Sequence, residues 1–357
     1  MGGDDAIIFG LDAQALLSNF LLFLLIGGMA GSCDARELQR KFVSERRGIL
    51  AGVFSQYVVL PFLGFLSLKV LPQDPVVMVT LLVVTTSPGG GFSGWWCSLS
   101  NADLALSIAM TSASTLACIL FLPLNLALYT ALLTPGMHVQ IAWEQLFLSV
   151  VVVMVAVLCG AAASHIFSRL QRDFEGGDGV ASASALPLGL SAQAMRQGMN
   201  TLGSAAGIGL MVFGGASNAT SSDPLWENDA DWFACVAAPC LLGLTSAVAI
   251  AFRLDLAHPS CVAVAIECVY QNTGLALTIA LSAVPADKVG MASGVPIFYG
   301  IVEIICVPTF ALIAWRLGWT YAPPTDNIVK VLALSYQPSF DEQGDRAEGG
   351  GGSRTMH

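Results

Sequence analysis

The stretch that decides the fold runs from Cys261 to Ser282, CVAVAIECVYQNTGLALTIALS: it is apolar enough to cross a bilayer, yet it carries Glu267, Gln271 and Asn272 at its centre. A carboxylate at that depth costs roughly 2.5 to 3.5 kcal/mol or more, so intramembrane acids are rare and mark ion or substrate sites. Glu267 therefore reads as functional. A second stretch, Val76 to Ser100, VVMVTLLVVTTSPGGGFSGWWCSLS, has the same character. Its Ser87-Pro88-Gly89-Gly90-Gly91 removes a backbone donor and sets helix-weakening glycines where the membrane centre falls, so the helix breaks there. Two interrupted spans, one in each half of a chain, point to a transporter binding site at the midplane, where broken helices aim backbone dipoles at ions.

Composition places the rest around these two segments. Of 357 residues 55% are hydrophobic and 11% charged, and the mean hydropathy is +0.71; a soluble domain carries about 25% charge. The chain reads as an all-α integral membrane protein. The net charge of -10 sits in the acidic tail and polar loops rather than on one face, and so says little about partners. Nine cysteines fall almost entirely in apolar spans without CxxC spacing, which argues against a disulfide framework or a zinc site. No HExxH, GxSxG or phosphate-loop motif occurs, so the chain is read as no enzyme and as needing no cofactor.

Windows of about 20 apolar residues predict about nine spans: 13–32, 48–70, 75–100, 104–133, 145–167, 197–217, 231–252, 260–283 and 290–315. The sixth, rich in Gly, Ser and Asn, has a re-entrant alternative. Thirteen of the fifteen Lys and Arg residues fall on one side of these spans, among them Arg36, Arg40, Lys41, Arg46 and Arg47 in the first loop; Lys69 and Lys288 fall on the other. The positive-inside rule then sets an extracellular N-terminus, residues 1–12, and a cytoplasmic, largely disordered tail, 317–357. The first residues lack the basic region of a signal peptide and, with Ala6 where a myristoylation signal needs Ser or Thr, are read as neither leader nor lipid anchor. A plasma membrane is favoured over an organelle. With nine spans the two interrupted segments run antiparallel, as an inverted repeat requires. Asn218-Ala219-Thr220 is a weak glycosylation sequon in a polar outer stretch.

The chain also holds hard oxygen ligands suited to sodium inside the membrane: Glu267, Gln271, Gln56, Ser93, and Ser107 with Thr111 four apart on one helix face. Ser107 and Thr111 have an alternative as ordinary small-residue packing. Trp95 and Trp96 are either cavity walls or interfacial anchors. Glu303, in the last span, reads either as a proton or substrate contact or as a carboxylate bonded to a neighbouring helix.

The segments SPGGGFSGWWCSLSNADLALSIAMTSASTL (87–116) and ECVYQNTGLALTIALS (267–282) resemble the bile acid:sodium symporter family, whose signature joins a Pro-Gly-Gly break, a Leu-Ser-x-x-x-Thr helix and a later Glu-x-x-x-Gln-Asn. The resemblance runs over residues 13–316 and implies a panel domain (spans 1, 5 and 6) beside a core (spans 2–4 and 7–9), with the broken helices crossing in the core. It implies two sodium sites: Ser93, Ser107, Thr111 and Glu267 for the first, and Gln56, Glu267, Gln271 and the carbonyls of Cys268 and Tyr270 for the second. It further implies an organic anion as substrate, with Gly90, Gly91 and Asn272 lining its anionic end. One departure stands out: the family's Gly-Gly-Thr-x-Ser-Asn reads Gly89-Gly90-Gly91-Phe92-Ser93-Gly94 here, so an amide is missing at Gly94 and a hydroxyl at Gly91. The expected function is sodium-coupled symport of an organic anion by alternating access. A proton-driven or facilitative carrier of a small carboxylate is the alternative, and a channel or membrane sensor is one of another class.

Overall fold

The computed structural model describes residues 13–32, 42–133, 143–175, 192–221, 223–283 and 288–337. Among them the architecture is helical: α1 (Ala13–Ser32), α2 (Arg46–Val70), α3 (Pro75–Thr86), α4 (Ser93–Leu99), α5 (Leu104–Leu133), α6 (Trp143–Glu175), α7 (Ala192–Ala219), α8 (Ala230–Arg253), α9 (His258–Val269), α10 (Thr273–Ala283), α11 (Val289–Arg316) and α12 (Ile328–Ala333). Helices α2, α5, α8, α11 and the stretch Phe147–Arg169 of α6 are long and apolar enough to cross a membrane. Leu16–Ser32, α3 and α9 are shorter apolar helices. Segment α7, expected to be helical or re-entrant, is one unbroken helix of 28 residues.

Local chemistry explains the boundaries. Helix α3 starts at Pro75, whose fixed φ suits the first turn, and the Asp74 carboxylate accepts from Val76 N–H at 2.9 Å. It stops at Ser87, extended at ψ 156° before Pro88, as a residue preceding proline prefers. Helix α2 carries a π-helical turn over Ser55–Val59. Pro61 is the cause: it has no N–H for the carbonyl of Tyr57 four residues earlier. Asn125 of α5 supplies the missing donor, its Nδ2 reaching Tyr57 O at 3.0 Å. The π turn displays Gln56 towards the chain's centre, in keeping with the frequent use of such turns at functional sites.

Small residues let backbones approach where lipid offers no hydrophobic drive. Helix α1 packs on α6 and α7 in this way. A Cβ on Gly28 would lie 2.7 Å from Gly203 Cα in α7, and one on Gly160 of α6 would meet Ala30 Cβ at the same distance. These three helices meet the rest of the chain mainly through α10 and α11.

The expected disordered tail needs correction over residues 317–337. This segment folds back onto the turn between α4 and α5: Asn101, in a left-handed conformation (φ 55°), donates from Nδ2 to Val331 O at 2.9 Å and accepts at Oδ1 from Tyr336 N–H at 2.8 Å. Its backbone carbonyl accepts from Tyr321 N–H. Trp315, Ala322 and Val331 form a small apolar cluster beneath. Sequence windows miss such order because the segment's partners lie more than 200 residues away. The expected disorder from 338 onward, like the N-terminal stretch 1–12, lies outside the described residues.

Candidate functional site

The two breaks meet. Gly89 and Gln271 pair as a single antiparallel bridge; Gly90 N–H donates to Tyr270 O at 2.7 Å and Asn272 N–H to Pro88 O at 2.9 Å. Helix ends leave orphan backbone groups that membrane cannot satisfy, and here each break satisfies the other. Glycine is required for the approach. A Cβ on Gly90 would sit 2.7 Å from the Tyr270 ring, and one on Gly89 would run into Glu267 Oε1.

Glu267 lies in the last turn of α9 and is fully buried. Its Oε2 accepts from Ser107 Oγ at 3.0 Å and its Oε1 from Thr111 Oγ1 at 2.6 Å, the second a length suited to a charge-assisted bond. Ser93, the first residue of α4, reaches the same group: its Oγ lies 3.3 Å from Thr111 Oγ1 and donates to Gly90 O at 2.9 Å. Ser93, Ser107, Thr111 and Glu267 are thus in one cluster. Gly94 sits beside them, and a Cβ there would meet nothing closer than Leu104 Cδ1 at 3.8 Å.

Asp103 sets this register. It caps α5 by accepting from Leu106 N–H at Oδ1, and it accepts from Ser260 Oγ of α9 at Oδ2, both at 3.0 Å. Counting from that tie at about 1.5 Å per residue, Ser107 and Thr111 stand about 6 and 12 Å along α5, and Glu267 about 10.5 Å along α9, between them. Sequence reading passed over Asp103, although its spacing of four and eight residues from Ser107 and Thr111 was visible. It also passed over Ser114, whose Oγ accepts from Gly89 N–H at 3.2 Å.

A second polar cluster lies on the other side of the crossing. Gln56 Nε2 is 3.3 Å from Ser87 O and 3.4 Å from Gln271 Oε1, while Gln56 Oε1 is buried without a hydrogen-bond partner. The Cys268 carbonyl accepts from Gln271 Nε2 at 2.5 Å, and the Tyr270 carbonyl is taken by Gly90 N–H. Both expected carbonyls therefore stand at the crossing, each already engaged by a protein donor. Glu303 joins here too: its Oε1 accepts from Gln271 N–H at 2.7 Å. That bond ties α11 to the break between α9 and α10.

The candidate substrate residues divide. Asn272 accepts from Leu275 N–H at 2.9 Å, capping α10, and its buried Nδ2 has no partner. Gly90 is buried within the crossing, whereas Gly91 is partly exposed, and a Cβ there would press on Met29 Sδ of α1. Trp95 is 55% exposed and touches Trp96 edge-on. Asn218 differs from what a glycosylation acceptor requires: it is buried, donating to Gly290 O at 2.8 Å and accepting from Leu225 N–H at 3.0 Å. Among the described residues no group of three His, Cys, Asp or Glu side chains is placed to hold a metal, so the oxygens available to an ion are carboxylate, hydroxyl, amide and backbone oxygens.

Comparison with known proteins adds a family likeness. The family model described as Sodium Bile acid symporter family matches residues 19–187. The chain is 31% identical over 147 residues to the P3 protein of Bos taurus, covering 39% of this chain and 31% of that one. It is 25% identical over 150 residues to the sodium-dependent organic anion transporter of Homo sapiens, 42% of this chain and 40% of the relative. It is 27% identical over 169 residues to the ileal sodium/bile acid cotransporter of Cricetulus griseus, 46% of this chain and 49% of the relative. The matched regions thus span between about a third and a half of these relatives' lengths. With its long apolar helices the chain is a multi-pass membrane protein, and over residues 19–187 it is similar to the Sodium Bile acid symporter family.

Proposed function

We propose that the protein is a sodium-coupled secondary transporter of organic anions, bile acids or related carboxylates, working by alternating access. The observation that carries this reading is the fully buried Glu267 carboxylate, held between the Ser107 and Thr111 hydroxyls where two broken helices cross. Hard cations seek such oxygens. Relatives named as a sodium-dependent organic anion transporter and a sodium/bile acid cotransporter support the substrate class.

In this reading the first sodium site uses Ser93, Ser107, Thr111 and Glu267, and the second uses Gln56, Glu267, Gln271 and the carbonyls of Cys268 and Tyr270. Turning the Gln56 amide over, a half-turn that exchanges O for N, would put its oxygen beside Ser87 O and Gln271 Oε1. A sodium ion arriving at the second site would draw that oxygen inward. The substrate's anionic end takes the unpartnered Asn272 Nδ2 and the break at Gly90 and Gly91, where helix N-termini favour negative charge. Helices α1, α6 and α7 form the panel and the others the core. Nine crossings, counting each broken pair once, put the N-terminus outside and the C-terminus in the cytoplasm. Each sodium ion moving through 100 mV supplies about 2.3 kcal/mol.

Gly94 favours a second reading, a proton-driven or facilitative carrier of a small carboxylate, because the family's amide is missing from the first site. Thermal stability of the purified protein in graded sodium chloride against choline chloride separates them, since a ligand of the folded state stabilises it in proportion to the logarithm of its concentration. A sodium-selective shift that vanishes in Glu267→Gln is expected. No selective shift in the unaltered protein would leave the sodium reading without support and favour the second.

A further inference from the structure

Glu303 is a buried carboxylate in the middle of α11 with 1% of its surface exposed, and the family motif gives it no role. Burial at that depth is costly, so its partner matters. Its Oε1 accepts from Gln271 N–H at 2.7 Å. That N–H lies two residues past the end of α9, whose last helical backbone bond, Tyr270 N–H to Ile266 O, is already made. The same peptide unit presents the Tyr270 carbonyl, which accepts from Gly90 N–H at 2.7 Å. The Tyr270–Gln271 peptide plane is thus pinned at both ends, by α11 on one side and by the first break on the other.

From this geometry we infer that Glu303 is a positioning residue for the second sodium site, acting through the Tyr270–Gln271 peptide. The inference rests on the sodium-coupled reading proposed above. When Glu303 accepts from the N–H, the peptide is polarised and its carbonyl oxygen gains negative charge. It also fixes where the Gln271 side chain departs, and this side chain meets both Cys268 O and the Gln56 amide. Without Glu303 the peptide plane is held at one end instead of two, by Gly90 N–H on the Tyr270 carbonyl alone, so both that carbonyl and the Gln271 side chain lose part of their bearing on the site. The bond that the carboxylate accepts comes from a backbone N–H, and it is through this bond that it works.

The test uses the full chain purified in detergent, with sodium chloride as the probe and choline chloride as the reference. The unfolding midpoint in choline reads packing, and the sodium concentration giving half the maximal stabilisation reads the site. Glu303→Gln keeps an oxygen that accepts from Gln271 N–H, so its half-saturating sodium concentration is expected within about threefold of the original. Glu303→Leu removes the acceptor, and an increase of about tenfold is expected, the size of one lost buried bond. If the leucine variant does not yield folded protein, Glu303→Asp, which withdraws the carboxylate by one methylene, takes its place with the same expectation. An unchanged half-saturation in Leu or Asp, with only the choline midpoint lowered, would assign Glu303 to packing and overturn the inference. A glutamine variant as impaired as leucine would overturn it as well, because charge rather than the bond would then be what matters. Failure of the parent reading looks different: the unaltered protein itself would show no sodium-selective shift.

Discussion

Replacing Gly89 with alanine should damage the site far more than one added carbon suggests. The new Cβ would fall inside contact distance of Glu267 Oε1 and 2.9 Å from its Cδ. The carboxylate has little room to retreat, because Ser107 and Thr111 hold it from the α5 side. Either it turns away and gives up the 2.6 Å bond from Thr111, or the crossing opens and the Gly90–Tyr270 and Asn272–Pro88 bonds lengthen. A hydrogen bond to a charged group contributes about 1.5 to 3 kcal/mol, and about 1.4 kcal/mol is a tenfold change in affinity. One lost bond therefore predicts a half-saturating sodium concentration raised by roughly ten- to a hundredfold. Sodium titration of thermal stability, followed by sodium activation of organic-anion uptake in vesicles, measures it. Gly94→Ala is the matched control, since its Cβ would find only ordinary contacts at 3.8 and 4.0 Å, and it should behave as the original. A Gly89→Ala protein with unaltered sodium dependence would refute the close approach of the first break to Glu267.

The same site and its surroundings support three further expectations. Gly94→Asn returns the amide that the family pattern places beside Ser93, and it should steepen the sodium-activation curve towards a Hill coefficient of two; an unchanged slope would show that the position no longer reaches an ion. Asn101→Ala removes the side-chain bonds to Val331, Leu334 and Tyr336 and puts a Cβ-bearing residue without a compensating side chain at positive φ. Opening of residues 328–337, read by amide hydrogen exchange, should become easier by about 2 to 3 kcal/mol, with Asn101→Gly separating the backbone share. In the same segment the Tyr336 hydroxyl, and after it the Lys330 ammonium, hold the partly exposed Asp326 carboxyl below the usual carboxylate range. A carboxyl depressed in the folded state stabilises above its unfolded value and loses that contribution as pH falls through the folded one. Exchange in this segment, corrected for intrinsic rates, should therefore stay flat from pH 8 to about 5 and rise only below about pH 4.

Much of the chain was legible residue by residue. The expected span 104–133 is Leu104–Leu133, and the expected break at Ser87-Pro88-Gly89 separates Pro75–Thr86 from Ser93–Leu99, because apolar length, proline and glycine act within a few residues of where they stand. The cluster of Glu267 with Ser93, Ser107 and Thr111 was reachable only through a family resemblance, since nothing in the residues alone says that α5 lies against α9. That neighbourhood depends on Asp103 bonding to Ser260 across 157 positions. Asn218 shows the opposite limit: its tripeptide reads as a surface acceptor, and only the approach of Gly290 on α11 turns it into a buried clamp. Glu303 had two readings in the sequence, and neither named the Gln271 N–H, 32 residues away, from which its carboxylate accepts. Periodicity and breaks are properties of the local chain, so the sequence by itself determined the helices and where they fail. Which broken end faces which carboxylate was decided by tertiary structure alone, because buried polar groups must find partners wherever packing brings a donor or acceptor within about 3 Å.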